Sequence, residues 1–333
     1  MKIIIPGGSG QVGHMLSRAF HRDGHDVVVL SRVPRQSPWK VVAWNPYETN
    51  PAAQTEWVRE FDGADVVINL TGKSVNCRYH RRNRDEIMQS RIESIYAVAK
   101  AIRAAKRPPA VWLQAGTATI YEHTYDHPQD ELTGVIGGNE PHAPDTWKFS
   151  IDVATTWEKT FDDADVPGVR KVALRSAMTM SPDRGGVFDT LLNLTRWGLG
   201  GTIGDGRQFM SWIHETDFVR AVYWLIEHDQ FTGAVNLASP HPLPHREFML
   251  AMRQAWGTRI GLHATRWMLE IGCFLMRTES ELILKSRRVI PGRLLQDGFT
   301  FEYPEWPAAA EELCRRWRKN HGTVSGSLET VSH

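Results

Sequence analysis

Ile3-Ile4-Ile5-Pro6-Gly7-Gly8-Ser9-Gly10-Gln11-Val12-Gly13 is the stretch whose reading decides the fold. Its β-branched start reads as a buried parallel strand. Beyond it, Val12, Met15, Leu16, Ala19 and Phe20 recur at helical spacing up to a stop at Gly24, and Val27-Val28-Val29-Leu30 supplies a second buried strand. Strand, glycine turn, helix, strand is the setting in which a glycine fingerprint carries meaning. The glycines satisfy Gly8-x-Gly10-x-x-Gly13 and Gly7-x-x-Gly10-x-x-Gly13 at once. Such a turn lets a pyrophosphate approach the backbone. Its last glycine allows helix and strand to pack closely, and the helix N-terminus offers free N–H groups to the anion. Gly7, Gly8, Ser9, Gly10, Gln11, Val12 and Gly13 are therefore expected to hold a dinucleotide.

The end of the second strand speaks to which dinucleotide. An NAD site usually carries Asp or Glu about 20 residues beyond the motif, accepting from the ribose 2′-OH. Here the strand ends Leu30-Ser31-Arg32, Arg35 follows, and there is no carboxylate. A guanidinium beside a hydroxyl suits a 2′-phosphate. The expected cofactor is NADP(H), with Ser31, Arg32 and Arg35 at its phosphate. Asp65-Val66-Val67-Ile68-Asn69-Leu70 is the next buried strand. Because ligands of open α/β sheets lie outside the carboxyl ends of the strands, Leu70, Thr71, Gly72 and Lys73 should border the cofactor.

Composition excludes several classes of partner. With 333 residues, 41% hydrophobic, 23% charged and a formal net charge of +1, the chain is an ordinary globular sequence with no general pull toward nucleic acid or membrane. Arg78, Arg81, Arg82, Arg84 and His80 cluster, but such a basic loop reads as solvated surface or an anion contact. Cys77, Cys273 and Cys314 are scattered and odd in number, which fits a reducing compartment rather than disulfides or zinc. Strand one begins at once after Met1, so no signal peptide is expected. The apolar stretch from Trp267 to Leu284 is broken by Glu270, Arg277, Glu279 and Glu281. His123 and His127 stand four apart beside Asp126 and Asp130, yet Pro128 argues against a helical metal pair, as Pro242 and Pro244 do for His241 and His245. The expectation is a cytoplasmic monomer or homodimer acting on a small molecule, with no metal.

Further along, a helix is predicted from about 84 to 106, ended by Pro108-Pro109. A strand over 111–115 leads into Gly116-Thr117-Ala118-Thr119-Ile120-Tyr121. After a loop come a helix over 149–161, a strand over 169–175 and a helix over 188–197. The glycine-rich run 198–206 lacks a preceding strand and reads as a loop over a site. A strand over 209–214, a helix over 217–228, a strand over 234–238 and helices near 245–256 and 264–286 complete the pattern. The fold class is α/β: a Rossmann doubly wound parallel sheet with a smaller mixed C-terminal substrate lobe. Residues 1–175 with 215–240 should form the NAD(P)-binding domain, 176–214 and 241–306 the substrate lobe, and 315–333 a flexible tail.

The glycine turn, Ile68-Asn69-Leu70-Thr71-Gly72 and Thr117-Ala118-Thr119-Ile120-Tyr121 resemble the extended short-chain dehydrogenase/reductases. More specifically, the chain is similar to their atypical "epimerase family protein" branch. The matching features are Gln89-Ser90-Arg91, the block from Gly198 to Asp217 with Gln208, Trp212, Ile213 and His214, and Ile290-Pro291-Gly292-Arg293-Leu294 followed by Gly298-Phe299-Thr300-Phe301-Glu302-Tyr303-Pro304. They span residues from about 1 to 306 and are jointly specific.

The resemblance implies a Ser/Thr, a Tyr and, four residues after the Tyr, a Lys. Thr117 occupies the first place, but Ser150 and Ala154 fall where the Tyr and Lys belong. That lysine would lower the tyrosine's pKa and hydrogen-bond the nicotinamide ribose. Tyr121, Lys73 and Lys148 are candidate replacements. Thr117, Tyr121 and His214 are the expected catalytic residues, with Gln208 and Trp212 at the substrate. Two readings follow: an NADP-dependent oxidoreductase or epimerase acting on a small carbonyl or hydroxyl compound, or a non-catalytic NADPH-binding sensor or interaction protein.

Overall fold

Strands apolar on both faces must be buried between two helical layers, and the first half of the chain is built that way. The computed structural model describes residues 1–48, 50–141, 143–263 and 285–321. It begins with β1 (Lys2–Pro6), α1 (Gln11–Arg22), β2 (Asp26–Ser31), β3 (Lys40–Ala43), α2 (Pro51–Val58) and β4 (Val66–Asn69). Then follow α3 (Arg81–Ala104), β5 (Val111–Thr117), α4 (Asp145–Asp162), β6 (Arg170–Ser176), β7 (Met178–Met180) and α5 (Val187–Arg196). The remainder comprises β8 (Phe209–Met210), β9 (Trp212–His214), α6 (Glu215–Glu227), β10 (Gly233–Leu237), β11 (Leu243–Pro244), α7 (His245–Trp256), α8 (Gly292–Gln296) and α9 (Trp306–His321).

Seven strands form one parallel sheet in the order β10-β6-β5-β4-β1-β2-β3. Side chains alternate across it, as the strand period requires. Ile3 and Ile5 pack with Met15, Leu16, Phe218 and Val222 of α1 and α6 on one face. Ile4 joins Ile95, Val98, Trp157 and Phe161 of α3 and α4 on the other. The sheet is therefore a doubly wound, Rossmann-like layer whose strand order reverses at β1 and β4, the place where such folds open a ligand crevice.

A second core lies beyond β6. Met180, Phe188, Leu192, Met210, Trp212, Phe248, Trp306, Leu313 and Trp317 are buried together. Asp217, wholly buried on α6, joins this part to the sheet: Oδ1 accepts from the backbone N–H of Glu302 (2.7 Å) and Oδ2 from that of Tyr303 (2.8 Å). Glu131 does the same from the β5–α4 loop, accepting from Asn236 N (2.7 Å) and Arg293 N (3.2 Å).

Three details differ from the pattern read in the sequence. The strand expected over 209–214 is two short ones, β8 and β9, parted at Ser211. Its hydroxyl donates to Arg287 O (2.6 Å) and accepts from Val289 N (2.8 Å), so that residue binds the 287–289 segment. The tail expected from 315 is helical as far as His321, because α9 still buries Trp317 there; residues 322–333 lie outside the described residues. The helix expected over 264–286 also falls outside them as far as 284, and Lys285 and Ser286 are not helical. No described helix is long and apolar enough to cross a membrane. Among the described residues, no group of three or more His, Cys, Asp or Glu is placed to hold a metal ion.

Candidate active site

The glycine turn between β1 and α1 is held by backbone contact alone. Gly7 has φ +75°, and a Cβ there would stand 2.8 Å from Thr71 Cα. A Cβ on Gly13 would stand 2.4 Å from Gly8 Cα, so helix meets turn with no room for a side chain. Gly10 differs: a Cβ would meet only Gly7 O, at 3.7 Å, and the space beyond is open. The helix that follows has no side-chain cap, leaving its first-turn N–H groups for another acceptor. A negative group there is favoured by both the free donors and the helix dipole.

In front of this turn lies a cleft of about 610 Å³. Gly7, Ser9, Gly10, Leu30, Ser31, Arg32, Leu70, Thr71, Gly72 and Lys73 line it. The rest of the set expected at the cofactor plays other parts. Gly8 and Gly13 provide the packing just described, and Val12 packs against the sheet core. Gln11 reaches toward Gly186, where a Cβ would lie 1.9 Å from its Nε2. Arg35 is exposed but is not part of the cleft wall. Ser31 is buried and its hydroxyl serves the turn itself, accepting from Val33 N (3.3 Å) and donating to Val33 O (3.2 Å). That turn leaves Arg32 exposed on the wall.

Trp44, Pro46, Tyr47, Glu86 and Ser90 also line the cleft and were not expected at the cofactor, although Ser90 belongs to the Gln89-Ser90-Arg91 feature. The first three come from the Trp- and Pro-bearing segment that follows β3. The end of β4 is shaped by a buried amide network. Asn69 Nδ2 donates to Gln114 Oε1 (2.9 Å) and Ser94 Oγ (3.2 Å), while Asn69 Oδ1 accepts from Thr71 N (3.1 Å). Thr71 Oγ1 is buried without a partner at the cleft. An open glycine, an uncapped helix end, an orphaned hydroxyl and a wall arginine fit a dinucleotide phosphate chain.

Thr117 ends β5, and its hydroxyl oxygen accepts from Thr119 N at 3.2 Å. Its proton therefore remains available to an oxygen in front of the sheet. Ser150 and Ala154 lie on α4, the latter buried. Tyr121 is not brought to this point. Its side chain is 1% exposed; its hydroxyl donates to Asn236 Oδ1 (2.9 Å) and accepts from Arg175 Nη1 (2.8 Å). Burial raises the phenol pKa, against the opposing pull of Arg175. A phenol so committed acts as a structural pin between β6 and β10.

His214 is likewise engaged. It is 0% exposed; Nε2 lies 2.9 Å from Glu312 Oε2, and Nδ1 accepts from Thr216 N (3.1 Å), capping α6. With Nδ1 accepting, Nε2 carries the proton toward the carboxylate. Burial would raise the Glu312 pKa, but this hydrogen bond and Arg316 bring it below the usual range. Trp212 is also 0% exposed, its ring 5.0 Å from that of Trp306 inside the second core. Gln208 is buried and donates to Ile203 O (3.3 Å). His214, Trp212 and Gln208 are thus all buried, His214 joining α6 to α9 and Trp212 packing inside the second core. Lys73 pairs with Glu86 and donates to Asn83 Oδ1 at 2.8 Å, while Lys148 is exposed on α4.

A doubly wound parallel sheet with this turn and cleft defines a nucleotide-binding α/β protein. The model of the NAD dependent epimerase/dehydratase family matches residues 3–238, and the chain belongs to that family. Residues 264–313 match a domain of unknown function, DUF1731. "Epimerase family protein YfhF" of Bacillus subtilis is 28% identical over 94% of this chain and 98% of its own length. The human "Epimerase family protein SDR39U1" is 27% identical over 94% of this chain and 99% of its own. Among solved structures, human SDR39U1 "with NADPH" superposes with a TM-score of 0.80 at 26% identity, covering 95% of this chain and 99% of that one. UDP-N-acetylglucosamine 4-epimerase from Bacillus cereus shares the fold, with a TM-score of 0.68 at 16% identity over 96% of this chain and 99% of that one.

Proposed function

We propose that the protein is an NADP(H)-dependent oxidoreductase or epimerase acting on a small carbonyl or hydroxyl compound. The observation that carries this reading is Arg32 on the cleft wall at the end of β2, where a carboxylate would serve NAD. The NADPH named with the human relative's structure supports it. When bound, the cofactor supplies or accepts a hydride at its nicotinamide. The chain's own part is to bind and to orient. The α1 N-terminus and the open face of Gly10 receive the pyrophosphate, and Arg32 the 2′-phosphate. The Thr117 hydroxyl, already accepting from Thr119 N, donates to the reacting oxygen and polarises it. Tyr121 and His214 hold that frame, and the alkoxide formed when hydride reaches a carbonyl takes its proton from water.

Two measurements test the reading. Arg32→Ala should weaken NADPH binding about tenfold to a hundredfold, the loss of an arginine–phosphate pair worth roughly 1.5–3 kcal/mol. NADH binding should stay nearly unchanged, and equal affinity of the unmutated protein for the two cofactors argues against NADP. Thr117→Val should then lower turnover of a carbonyl substrate by about tenfold or more with NADPH affinity intact, since one oriented donor is worth upward of 1.4 kcal/mol of barrier. The commitment of Tyr121 and His214 to structural bonds favours a second reading, a protein that binds NADPH without turnover. Tight NADPH binding with no consumption across a carbonyl panel is the result that selects it.

A further inference from the structure

Arg91 lies on α3 just behind the cleft, 8% exposed. Its Nη1 donates to the carbonyl oxygens of Ile87 (2.8 Å) and Lys73 (3.2 Å), and its Cζ stands 4.7 Å from the ring centre of Trp157. Nε is buried with no partner, and among the described residues no carboxylate pairs with this guanidinium. Burial pulls its pKa down to about 10, with Tyr79 and Cys77 the titratable groups that oppose the shift. Two carbonyls and an indole face compensate this charge only in part, so it acts on whatever group the neighbouring cleft holds.

The placement says which part of a ligand that is. A Cβ on Gly72 would stand 3.3 Å from Arg91 Cζ, so the guanidinium lies directly against the cleft residue Gly72. In the sheet, β1 bears the glycine turn, β2 on one side ends at Arg32, and β4 on the other ends beside Gly72. A dinucleotide with its 2′-phosphate at Arg32 and its pyrophosphate on the turn puts its nicotinamide half over the ends of β4 and β5. Trp157, under the Arg91 guanidinium, lies three residues beyond Ala154, the position without its lysine. Lys73, the neighbouring cation, is already paired with Glu86.

Resting on the NADP(H) reading above, we propose that Arg91 supplies from α3 the positive charge that position 154 lacks, and so makes the site prefer the reduced, uncharged nicotinamide to the oxidised, cationic one. One partly screened charge of this kind should shift that preference by about tenfold. The test is calorimetric titration of the full chain with NADPH and with NADP⁺, each variant also followed by thermal unfolding. The unmutated protein should bind NADPH about tenfold the tighter. Arg91→Met should bring the two affinities together, and Arg91→Lys should restore most of the difference. Lys100→Met, removing an exposed cation of the same helix that lies off the cleft wall, should leave the preference unchanged. Equal affinities in the unmutated protein, an unchanged ratio in folded Arg91→Met, or loss of the preference in Lys100→Met overturns the proposal while leaving the cofactor reading in place. Failure to bind either form overturns both.

Discussion

Replacing Arg175 by Met should cost about 3–5 kcal/mol of stability, the penalty for leaving one partner of a buried ion pair uncompensated. Arg175 on β6 grips both carboxylate oxygens of Glu158 on α4 at 2.8 Å, and the two side chains are 12% and 14% exposed. Burial alone would lower the arginine's pKa, but Glu158 more than reverses this, and the guanidinium stays charged. Its third contact, to the Tyr121 hydroxyl, passes through Asn236 Oδ1 and from Asn236 Nδ2 to Ile290 O at 2.9 Å. The chain of bonds thus joins α4, β6, the turn after β5, β10 and the approach to α8. Denaturant unfolding measures the loss. Tyr121→Phe, which breaks only the neutral end of the network, should cost about 1–2 kcal/mol. A loss under about 1 kcal/mol for Arg175→Met would mean that water solvates Glu158 after all.

Gly13→Ala should cost about 3 kcal/mol and lower NADPH affinity by about tenfold or more. The added methyl would lie 2.4 Å from Gly8 Cα and 2.5 Å from Gly8 O, both backbone atoms with no rotamer to yield. Relief comes only by lifting α1 off the turn, which moves the N–H groups that serve the anion. Gly24→Ala is the control. That glycine has φ +81° and nothing within 4 Å of an added Cβ, so its cost is the left-handed backbone alone, about 1 kcal/mol. Its cofactor affinity should not change. Fluorescence titration of both variants separates the two effects, and equal losses of NADPH binding would exclude the packing explanation for Gly13.

What was legible in the sequence was local. The β1–α1–β2 unit rests on residues within one short window, and its period and glycines suffice to define a doubly wound sheet. Arg32, Thr71 and Gly72 could be placed because they follow strand ends directly. Tyr121 and His214 sit in motifs that look catalytic, but their partners are remote: Asn236 is 115 residues from Tyr121, and Glu312 is 98 from His214. No window contains both members of either pair, so nothing in the sequence showed these polar groups to be saturated. Trp212 fails for a similar reason. Its burial against Trp306 depends on α9 returning to β9. Arg91 stood out in the sequence only as part of Gln89-Ser90-Arg91, and the packing of α4 across α3 is what reveals it as buried.

The seventh strand also bears on how the chain reaches this state on the ribosome. β10 pairs with β6 along Gly233–Leu237, and α6, just before it, lays Phe218, Val222 and Leu225 over the same sheet face as Ile3 and Ile5. A nascent chain that has emerged only as far as Ser176 therefore has one face of its sheet covered by α1 alone and β6 as a bare edge carrying Val172 and Leu174. Such an edge pairs readily with another incomplete chain. The sheet is thus a late product of synthesis, closed only when α6 and β10 have been made. A polypeptide ended between β6 and β10 should therefore aggregate through that edge instead of forming a smaller working domain.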